Sequence, residues 1–400
     1  MKISIYIFCI MLFIWFRGDI MKKKVSIFMF IDAFGWEIQK NHTFLEELLP
    51  YRYPAKMQFG YSCTAIPTIL TGKTPVEHKH LSFYYYNPKE SPFKMFKVLK
   101  FLPGFIFDRW RFRHLFSKAI KKMKGYTGYF ELYAMPFDRL PYFDYIEKKD
   151  LFVPNGLAPT KNLADVLEEK KLNYHISNWR LTEDENIEAL MSDIRKEELD
   201  FAFLYTAKLD GLLHSVTKDG SEIQAKLDWY AEKIKLLVAE VKKHYEDYSL
   251  FIMSDHGMTT LTHEVDVKKQ IEDLGYKFGK DYVAAYDSTM VHFWFLNKEC
   301  REPILKEAKK VPHSSLISEA DKVRFGINYA DNMYGDEILL MDAGTQIVPC
   351  DMGRNSLPGM HGFSPDHKDS DASFMGTEPL NTPPKWVGDF FRIMTEYMDK

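Results

Sequence analysis

The segment SLFIMSDHGM, residues 249–258, carries the clearest indication of the fold. Its first half, residues 249–253, is a short apolar run, which is typical of a buried strand in a parallel sheet. Asp255 and His256 follow that strand directly, and Gly257 comes next. Because glycine permits a sharp turn that exposes neighbouring side chains, the Asp-His pair suggests a chemical role, with a polar loop as the simpler explanation.

Two further segments predict strands of the same sheet. Residues 25–31, VSIFMFI, end at Asp32, and residues 200–206, DFAFLYT, are followed by Asp210. Apolar positions at helical spacing predict a long amphipathic helix at residues 221–245. Strand, helix and strand in this order form a βαβ unit, so we predict an α/β protein with a mostly parallel sheet flanked by helices. Helices at residues 162–171 and 184–196, and strand structure within residues 283–296, extend this pattern.

Polar residues follow all three strands, and ligands bind at the carboxyl ends of strands in open α/β sheets. Asp210 and His214 are four residues apart, so on a helical turn they share one face and both could ligate one ion. His361 lies in GMHGF, residues 359–363, where glycines suit a histidine held in an irregular loop beside a ligand. Considered singly, Asp210 could simply cap a helix, and His361 could simply be a structural residue of its loop.

A candidate nucleophile precedes a helix-like apolar stretch. Ser62 lies in GYSCTAIP, residues 60–67, and the stretch ends at Thr71 and Gly72. A hydroxyl at a helix N-terminus meets unpaired backbone N–H groups and the positive end of the helix dipole, which favour an alkoxide and a phosphoryl oxygen. A simple helix cap is the alternative, and Thr64 is a competing nucleophile.

Composition limits the partners. The formal net charge is −3, so there is no global attraction to nucleic acid, and a nucleic-acid duplex is not an expected partner. The aromatic fraction is high, at 15%, so some of that aromatic surface is expected to line a pocket or face an apolar partner.

The cysteines lack C-x-x-C spacing, which predicts reduced thiols and a cytoplasmic location, with membrane association as an option. They are Cys9, Cys63, Cys300 and Cys350.

The N-terminal segment, residues 1–20, has two interpretations. Residues 3–16 are almost continuously apolar, about as long as a signal-peptide core and short for a membrane span. Met21 then begins a lysine-rich start to the first strand, so the segment is either a misassigned start or a membrane tether. We predict one catalytic domain over residues 21–400, with an inserted cap at residues 88–156.

Part of that cap, residues 91–125, is both aromatic and basic. Residues 94–124 contain ten Lys or Arg and a single acid, Asp108. Such a segment could bind an anionic or lipid-like substrate, or contact a membrane surface. An ordinary helical insertion with solvated lysines is the competing interpretation.

Five blocks in this order resemble the alkaline phosphatase superfamily, and within it the type I phosphodiesterase and nucleotide pyrophosphatase family. They are FIDAF at residues 30–34, the Ser62 segment through TGKTP at residues 71–75, LDGLLH at residues 209–214, SDHGM at residues 254–258 and GMHGF at residues 359–363. The resemblance implies an alkaline-phosphatase-like core, a mostly parallel sheet flanked by helices, with an inserted cap.

The resemblance also implies two sites for divalent ions. Asp210, His214 and His361 match the ligands of one ion, and Asp32, Asp255 and His256 match those of the other, which also binds the nucleophile. The family nucleophile precedes the Thr-Gly pair by nine residues, which gives Ser62. The family more often has Thr there, so Thr64 stays open. The mixed Asp and His ligands favour Zn²⁺, with Mn²⁺ as the alternative.

The implied reaction is metal-dependent hydrolysis of phosphodiester or pyrophosphate bonds through a phosphoserine intermediate. The substrate would be a small phosphate ester or a lipid- or glycan-linked one. A phosphomonoesterase or phosphoryl-group transferase on the same site is the alternative. No motif supplies an arginine that would bind the terminal phosphate of a monoester, so the sequence favours diester substrates. A non-catalytic binding protein ranks below both, because all six ligands and a hydroxyl are present.

Overall fold

The computed structural model describes residues 22–101 and 109–399. The apolar segment at residues 1–20, together with Cys9, therefore lies outside the described residues. Cys63, Cys300 and Cys350 are buried free thiols. Within the described ranges, no helix combines the length and the apolar character needed to cross a bilayer.

Sixteen described strands build the sheets. They are β1 (Lys22–Ile31), β2 (Tyr51–Ala55), β3 (Tyr84–Tyr86), β4 (Phe143–Tyr145), β5 (Tyr174–Ile176), β6 (Phe201–Thr206), β7 (Tyr245–Met253), β8 (Thr259–Thr260), β9 (His263–Val265), β10 (Tyr282–Tyr286), β11 (Met290–Phe295), β12 (Ser314–Leu316), β13 (Glu337–Met341), β14 (Thr345–Ile347), β15 (Gly359–Met360) and β16 (Ala372–Gly376).

Twelve α-helices lie between or beside these strands in the described chain. They are α1 (Trp36–Asn41), α2 (Ser62–Thr71), α3 (Pro75–His78), α4 (Trp110–Lys124), α5 (Leu163–Lys170), α6 (Glu183–Ile194), α7 (Lys208–Leu213), α8 (Ser221–His244), α9 (Val267–Glu272), α10 (Lys298–Ala308), α11 (Glu319–Arg324) and α12 (Asp389–Tyr397). Short 3-10 helices occur at Lys94–Phe101, Leu140–Tyr142 and Lys368–Ser370.

The central sheet has six strands in the order β2-β16-β7-β1-β6-β5. β7, β1, β6 and β5 run parallel, and β16 pairs antiparallel with both β7 and β2. The predicted α/β fold with a mostly parallel sheet flanked by helices is therefore confirmed. The predicted helices at residues 162–171, 184–196 and 221–245 correspond to α5, α6 and α8.

Both faces of the central sheet are buried, which is why β1 reads as a continuous apolar run. Side chains alternate along a strand, so Ile27 and Met29 pack with residues of α6 and α8, while Phe28 and Phe30 face α2 and α12. The Phe28 ring stacks between Phe201 and Phe251, at centroid distances of 5.3 and 5.0 Å.

A second sheet is antiparallel and has the order β10-β11-β13-β12. The strand structure predicted within residues 283–296 is confirmed, as the β10–β11 hairpin. Aromatic residues of the predicted cap, among them Phe93 and Phe130, form one apolar cluster with Val283 and Trp294 of this hairpin. The division of the chain into a catalytic domain and a cap at residues 88–156 stays a prediction.

Two turns approach each other closely at the carboxyl edge of the central sheet. A Cβ atom on Gly35 would lie 2.3 Å from the Cα atom of Gly257 and 2.6 Å from the carbonyl oxygen of Asp371. The φ angle of Gly35 is −68°, so the backbone conformation itself does not require glycine. The lack of space therefore explains why glycine occupies position 35. This contact fixes the turn after β1 against the turn after β7.

The substitution Gly35→Ala is expected to lower the free energy of unfolding by about 1–3 kcal/mol, because the added methyl group forces two backbone turns apart. Chemical denaturation followed by circular dichroism measures the change. Gly211→Ala is the matched control, since nothing lies within 4 Å of a Cβ atom at that position in α7. Equal stability of Gly35→Ala and the unmodified protein would contradict the close packing of the turns.

Candidate metal centre

Three neighbouring strands deliver acidic residues to one edge of the central sheet. β1 is followed at once by Asp32, and β7 is followed by Ser254 and then Asp255. β6 leads into α7, whose first turn carries Asp210. Because β7, β1 and β6 are adjacent, the carboxyl ends of all three strands meet at this edge.

One group of side chains that could hold a metal ion consists of Asp210, His214 and His361. One ligand atom from each lies within 4.8 Å of the others. Asp210 Oδ1 is 3.4 Å from His214 Nε2 and 3.5 Å from His361 Nε2. His214 Nδ1 donates a hydrogen bond to the carbonyl oxygen of Gly359 at 2.9 Å, which leaves Nε2 as the nitrogen available to an ion.

A second group consists of Asp32, Asp210 and His256, whose ligand atoms again lie within 4.8 Å of one another. His256 Nε2 is 3.7 Å from Asp32 Oδ1 and 3.2 Å from Asp255 Oδ2. His256 Nδ1 donates to the carbonyl oxygen of Gly257 at 2.9 Å, so Nε2 faces the carboxylates as an acceptor. All six ligand residues suggested by the sequence therefore converge, and Asp210 lies between the two groups.

Asp255 is oriented by the backbone on one side. Its Oδ1 atom accepts hydrogen bonds from the N–H groups of Ala33, at 3.2 Å, and His256, at 3.0 Å. Ala33 belongs to the turn after β1, so this carboxylate joins the ends of the two central strands. The remaining oxygen, Oδ2, faces His256.

Several polar atoms of this cluster are buried without a hydrogen-bond partner among the described residues. They are Asp32 Oδ1, Asp210 Oδ1, Asp255 Oδ2 and His361 Nδ1. Buried polar atoms are normally paired, because an unpaired one costs about 1–3 kcal/mol. A cation at the three carboxylate oxygens would remove that cost, and an Asp and His donor set fits a divalent transition metal ion.

The charges of the cluster shift its titration. Burial, followed by the charges of Asp255 and Asp210, raises the pKa of Asp32 well above its ordinary value. Against the effect of burial, the adjacent His214 ring and the charge of His361 hold the pKa of Asp210 well below its ordinary value. These opposite shifts follow from the same crowding of acids and imidazoles at one site.

Ser62 and Thr64 occupy different environments. Ser62 is the first residue of α2, and its Oγ atom donates to His256 Nε2 at 3.0 Å. Thr64 is fully buried, and its hydroxyl donates to the carbonyl oxygen of Leu81 at 2.6 Å. Ser62 lines the cavity over the candidate metal ligands, whereas Thr64 is not part of the cavity wall.

The turn before α2 is tied to the His361 loop. The Tyr61 hydroxyl lies 2.8 Å from Thr289 Oγ1 and accepts a hydrogen bond from the Thr289 N–H group at 3.1 Å. Thr289 Oγ1 in turn donates to the carbonyl oxygen of Gly362 at 2.8 Å. The β10–β11 hairpin, which contains Thr289 in its turn, therefore sets the spacing between Ser62 and His361.

A cavity of about 810 Å³ opens over the cluster. Its wall includes residues that the motifs did not identify, because no local spacing marks them. They are Phe83, Tyr129, Tyr133, Glu147, Asp287 and Arg354. Only the high aromatic content of the sequence suggested such a wall.

Comparison with known proteins agrees with this architecture. Residues 27–364 match the family model described as type I phosphodiesterase / nucleotide pyrophosphatase. No curated protein sequence matches the chain significantly.

Solved structures with the same fold include human ectonucleotide pyrophosphatase / phosphodiesterase 5, with a TM-score of 0.66, 12% identity, and coverage of 94% of this chain and 95% of that one. An inactive variant of the murine protein in complex with AMP has a TM-score of 0.65 at the same identity and coverage. At this identity the two structures establish the fold. The family model spans every candidate ligand residue discussed above, and the chain belongs to the type I phosphodiesterase / nucleotide pyrophosphatase family.

Proposed function

We propose that the protein, a hydrolase of phosphodiester and pyrophosphate bonds by family, uses Ser62 as its nucleophile and two divalent ions as cofactors. The observation that carries the proposal is the 3.0 Å contact between Ser62 Oγ and His256 Nε2, beside buried carboxylate oxygens that lack partners. Thr64 is the weaker candidate, because its hydroxyl is committed to Leu81.

Asp210, His214 and His361 would hold one ion, and Asp32, Asp255 and His256 the other. Zn²⁺ is the proposed ion, with Mn²⁺ as the alternative, because mixed carboxylate and imidazole ligands suit both. Bound ions would offset the charge of the phosphate oxygens and favour an ionised hydroxyl near neutral pH.

The residues of the chain account for the two chemical steps. Ser62 Oγ attacks phosphorus, so an Oγ–P bond forms, the bond to the leaving oxygen breaks, and the serine proton passes to the leaving group. Water then attacks phosphorus, the Oγ–P bond breaks, and one water proton restores the serine hydroxyl. The products are an alcohol or phosphate and a phosphomonoester. The complex of the murine relative with AMP supports a small phosphate ester as the substrate.

Ser62→Ala is expected to lower kcat/KM for an aryl phosphate diester by about 1000-fold or more, because the attacking oxygen is lost. Metal content, measured by mass spectrometry, is expected to stay at two ions per chain. A chelator should abolish the activity of the unmodified protein, and an aryl sulfate should not be cleaved.

Thr64→Val is the matched control for Ser62→Ala. It removes a hydroxyl two residues away with little change in shape, so turnover is expected to stay within a few-fold of the unmodified protein. If Thr64→Val abolished turnover while Ser62→Ala retained it, the nucleophile would be Thr64. Full activity of the unmodified protein after complete removal of metal would refute the role of the ions.

We further propose that α4 rests on an anionic lipid surface. Trp110, Leu115 and Met123 of this helix are 70%, 62% and 63% exposed, which is unusual for large apolar side chains. Exposed basic residues, including Arg111 and Lys118, accompany them on the same helix. A basic helix with exposed apolar side chains is typical of a segment that lies in the membrane interface.

Vesicle flotation tests the lipid contact. The protein should float with vesicles containing phosphatidylserine, less so in high salt, and not with neutral vesicles, because each basic side chain contributes about 1 kcal/mol near an anionic surface. A variant with Trp110→Ser, Leu115→Ser and Met123→Ser should lose binding and keep its activity on soluble substrates. Equal flotation of that variant and the unmodified protein would refute the role of α4.

A further inference from the structure

Glu183 is a buried acid whose carboxylate accepts from three donors. It is the first residue of α6, and its side chain is 6% exposed. Its Oε1 atom accepts hydrogen bonds from the backbone N–H group of Lys208, at 2.9 Å, and from the Tyr230 hydroxyl, at 2.6 Å. Its Oε2 atom pairs with Lys226 Nζ at 2.6 Å. Because a buried carboxylate needs donors of this kind, the three contacts fix Glu183 in one position.

The first of these donors belongs to α7, the short helix that carries two candidate metal ligands. Asp210 lies in its first turn, and His214 directly follows its last residue. The N-cap residue is Ala207, which has no side-chain oxygen, and in the described chain no side chain at that position caps the helix. The first N–H groups of a helix need partners from outside, and so short a helix is not stable by itself. Contacts from the rest of the molecule therefore set the position of α7.

Glu183 takes the place of the missing cap. It lies 25 residues before Lys208 in the chain, yet its carboxylate accepts the N–H group that begins α7. A carboxylate at this end of a helix pairs an otherwise unsatisfied donor and complements the positive end of the helix dipole. The other two donors to Glu183 belong to α8. One side chain therefore joins α6, α7 and α8 at the point where α7 starts.

The opposite end of α7 is held separately. His214 Nδ1 bonds to the carbonyl oxygen of Gly359 at 2.9 Å. Asp210 lies between the two attachments, and its carboxylate belongs to both groups of side chains that could hold an ion. Metal sites tolerate only small displacements of their ligands, so the residues that support those ligands affect the binding of the ion. A shift at the start of α7 would move Asp210 relative to every other candidate ligand.

We propose that Glu183 is a positioning residue for the metal centre, which holds Asp210 and His214 in place through its hydrogen bond to the Lys208 N–H group. Glu183 touches neither the ion nor the substrate and acts through α7. Residues that orient metal ligands in this indirect way typically contribute about 10- to 100-fold to metal affinity or activity. This inference rests on the proposed two-ion function and adds a residue that no sequence motif marks.

The zinc affinity of the full chain, measured by competition with a chromogenic chelator, tests this role. Glu183→Ala removes the acceptor, so the binding of at least one of the two ions is expected to weaken by about 10- to 100-fold. Glu183→Gln keeps an oxygen that can accept from the Lys208 N–H group, and its zinc affinity should stay within about threefold of the unmodified protein. Lys226 Nζ lies 3.7 Å from the centroid of the Trp229 ring, so the lysine keeps a favourable contact in both variants.

Ile187→Ala is the matched control on the same helix. Ile187 is buried in the core, so its truncation lowers the stability of α6 without removing a hydrogen bond. The midpoint of thermal unfolding should fall, while the zinc affinity should not change. The proposal is overturned if Ile187→Ala weakens zinc binding as much as Glu183→Ala does, because the effect would then be a general loss of stability. Equal weakening by Glu183→Ala and Glu183→Gln would also overturn it, because the acceptor would not be responsible.

Glu183→Asp makes the same test if Glu183→Ala does not fold. This variant keeps the charge but shortens the side chain by one methylene group, which draws the carboxylate away from Lys208. Its zinc affinity should fall by about fivefold or more. An affinity equal to that of the unmodified protein would contradict the role of the hydrogen bond.

The unmodified protein separates this inference from the proposed function. If it binds no Zn²⁺ and does not cleave bis(p-nitrophenyl) phosphate, the two-ion hydrolase proposal fails and the inference fails with it. If it binds two ions and cleaves the diester, but Glu183→Ala binds Zn²⁺ as tightly as the unmodified protein, only the positioning role of Glu183 fails.

Discussion

Three buried carboxylates meet at one end of the central sheet, and their repulsion is the constraint on which the site depends. Asp32, Asp210 and Asp255 each have an oxygen buried without a hydrogen-bond partner in the described chain. Like charges this close are stable only when some are protonated or when a cation joins them. Three histidines nearby add ring nitrogens, so the arrangement has the donor set of a site that could hold dications.

The rest of the molecule holds that unfavourable arrangement in place. Adjacent parallel strands bring the acids together, and the contact between Gly35 and Gly257 leaves their turns no room to separate. The hydrogen-bonded series from Tyr61 through Thr289 to Gly362 then holds the serine and the third histidine at a fixed spacing. A rigid support of this kind keeps catalytic groups positioned with little reorganisation when substrate binds.

The parts of this structure that could be predicted are those encoded locally. An apolar run followed by Asp32 or Asp255 indicates both a strand and the side chain at its end. Other features depend on contacts between distant segments. The hydroxyls of Ser62 and Thr64 lie on different faces of one helix. The hydrogen bond from Thr64 to the carbonyl oxygen of Leu81, a residue distant in sequence, shows which of the two is unavailable as a nucleophile. Glu147 has no motif, because its buried place in the cavity wall depends on segments that are distant in the chain.

The position of β16 has a consequence for how the molecule is made. β16 lies between β2 and β7 in the sheet. Ala55 of β2 therefore cannot pair until Ala372 of β16 has been synthesised. At ordinary translation speeds the interval between the two is roughly 15–60 s. After β7 ends at Met253, its edge stays open until Ala372 is made, roughly 6–24 s later, and an open strand edge of this kind invites wrong pairing and attracts chaperones.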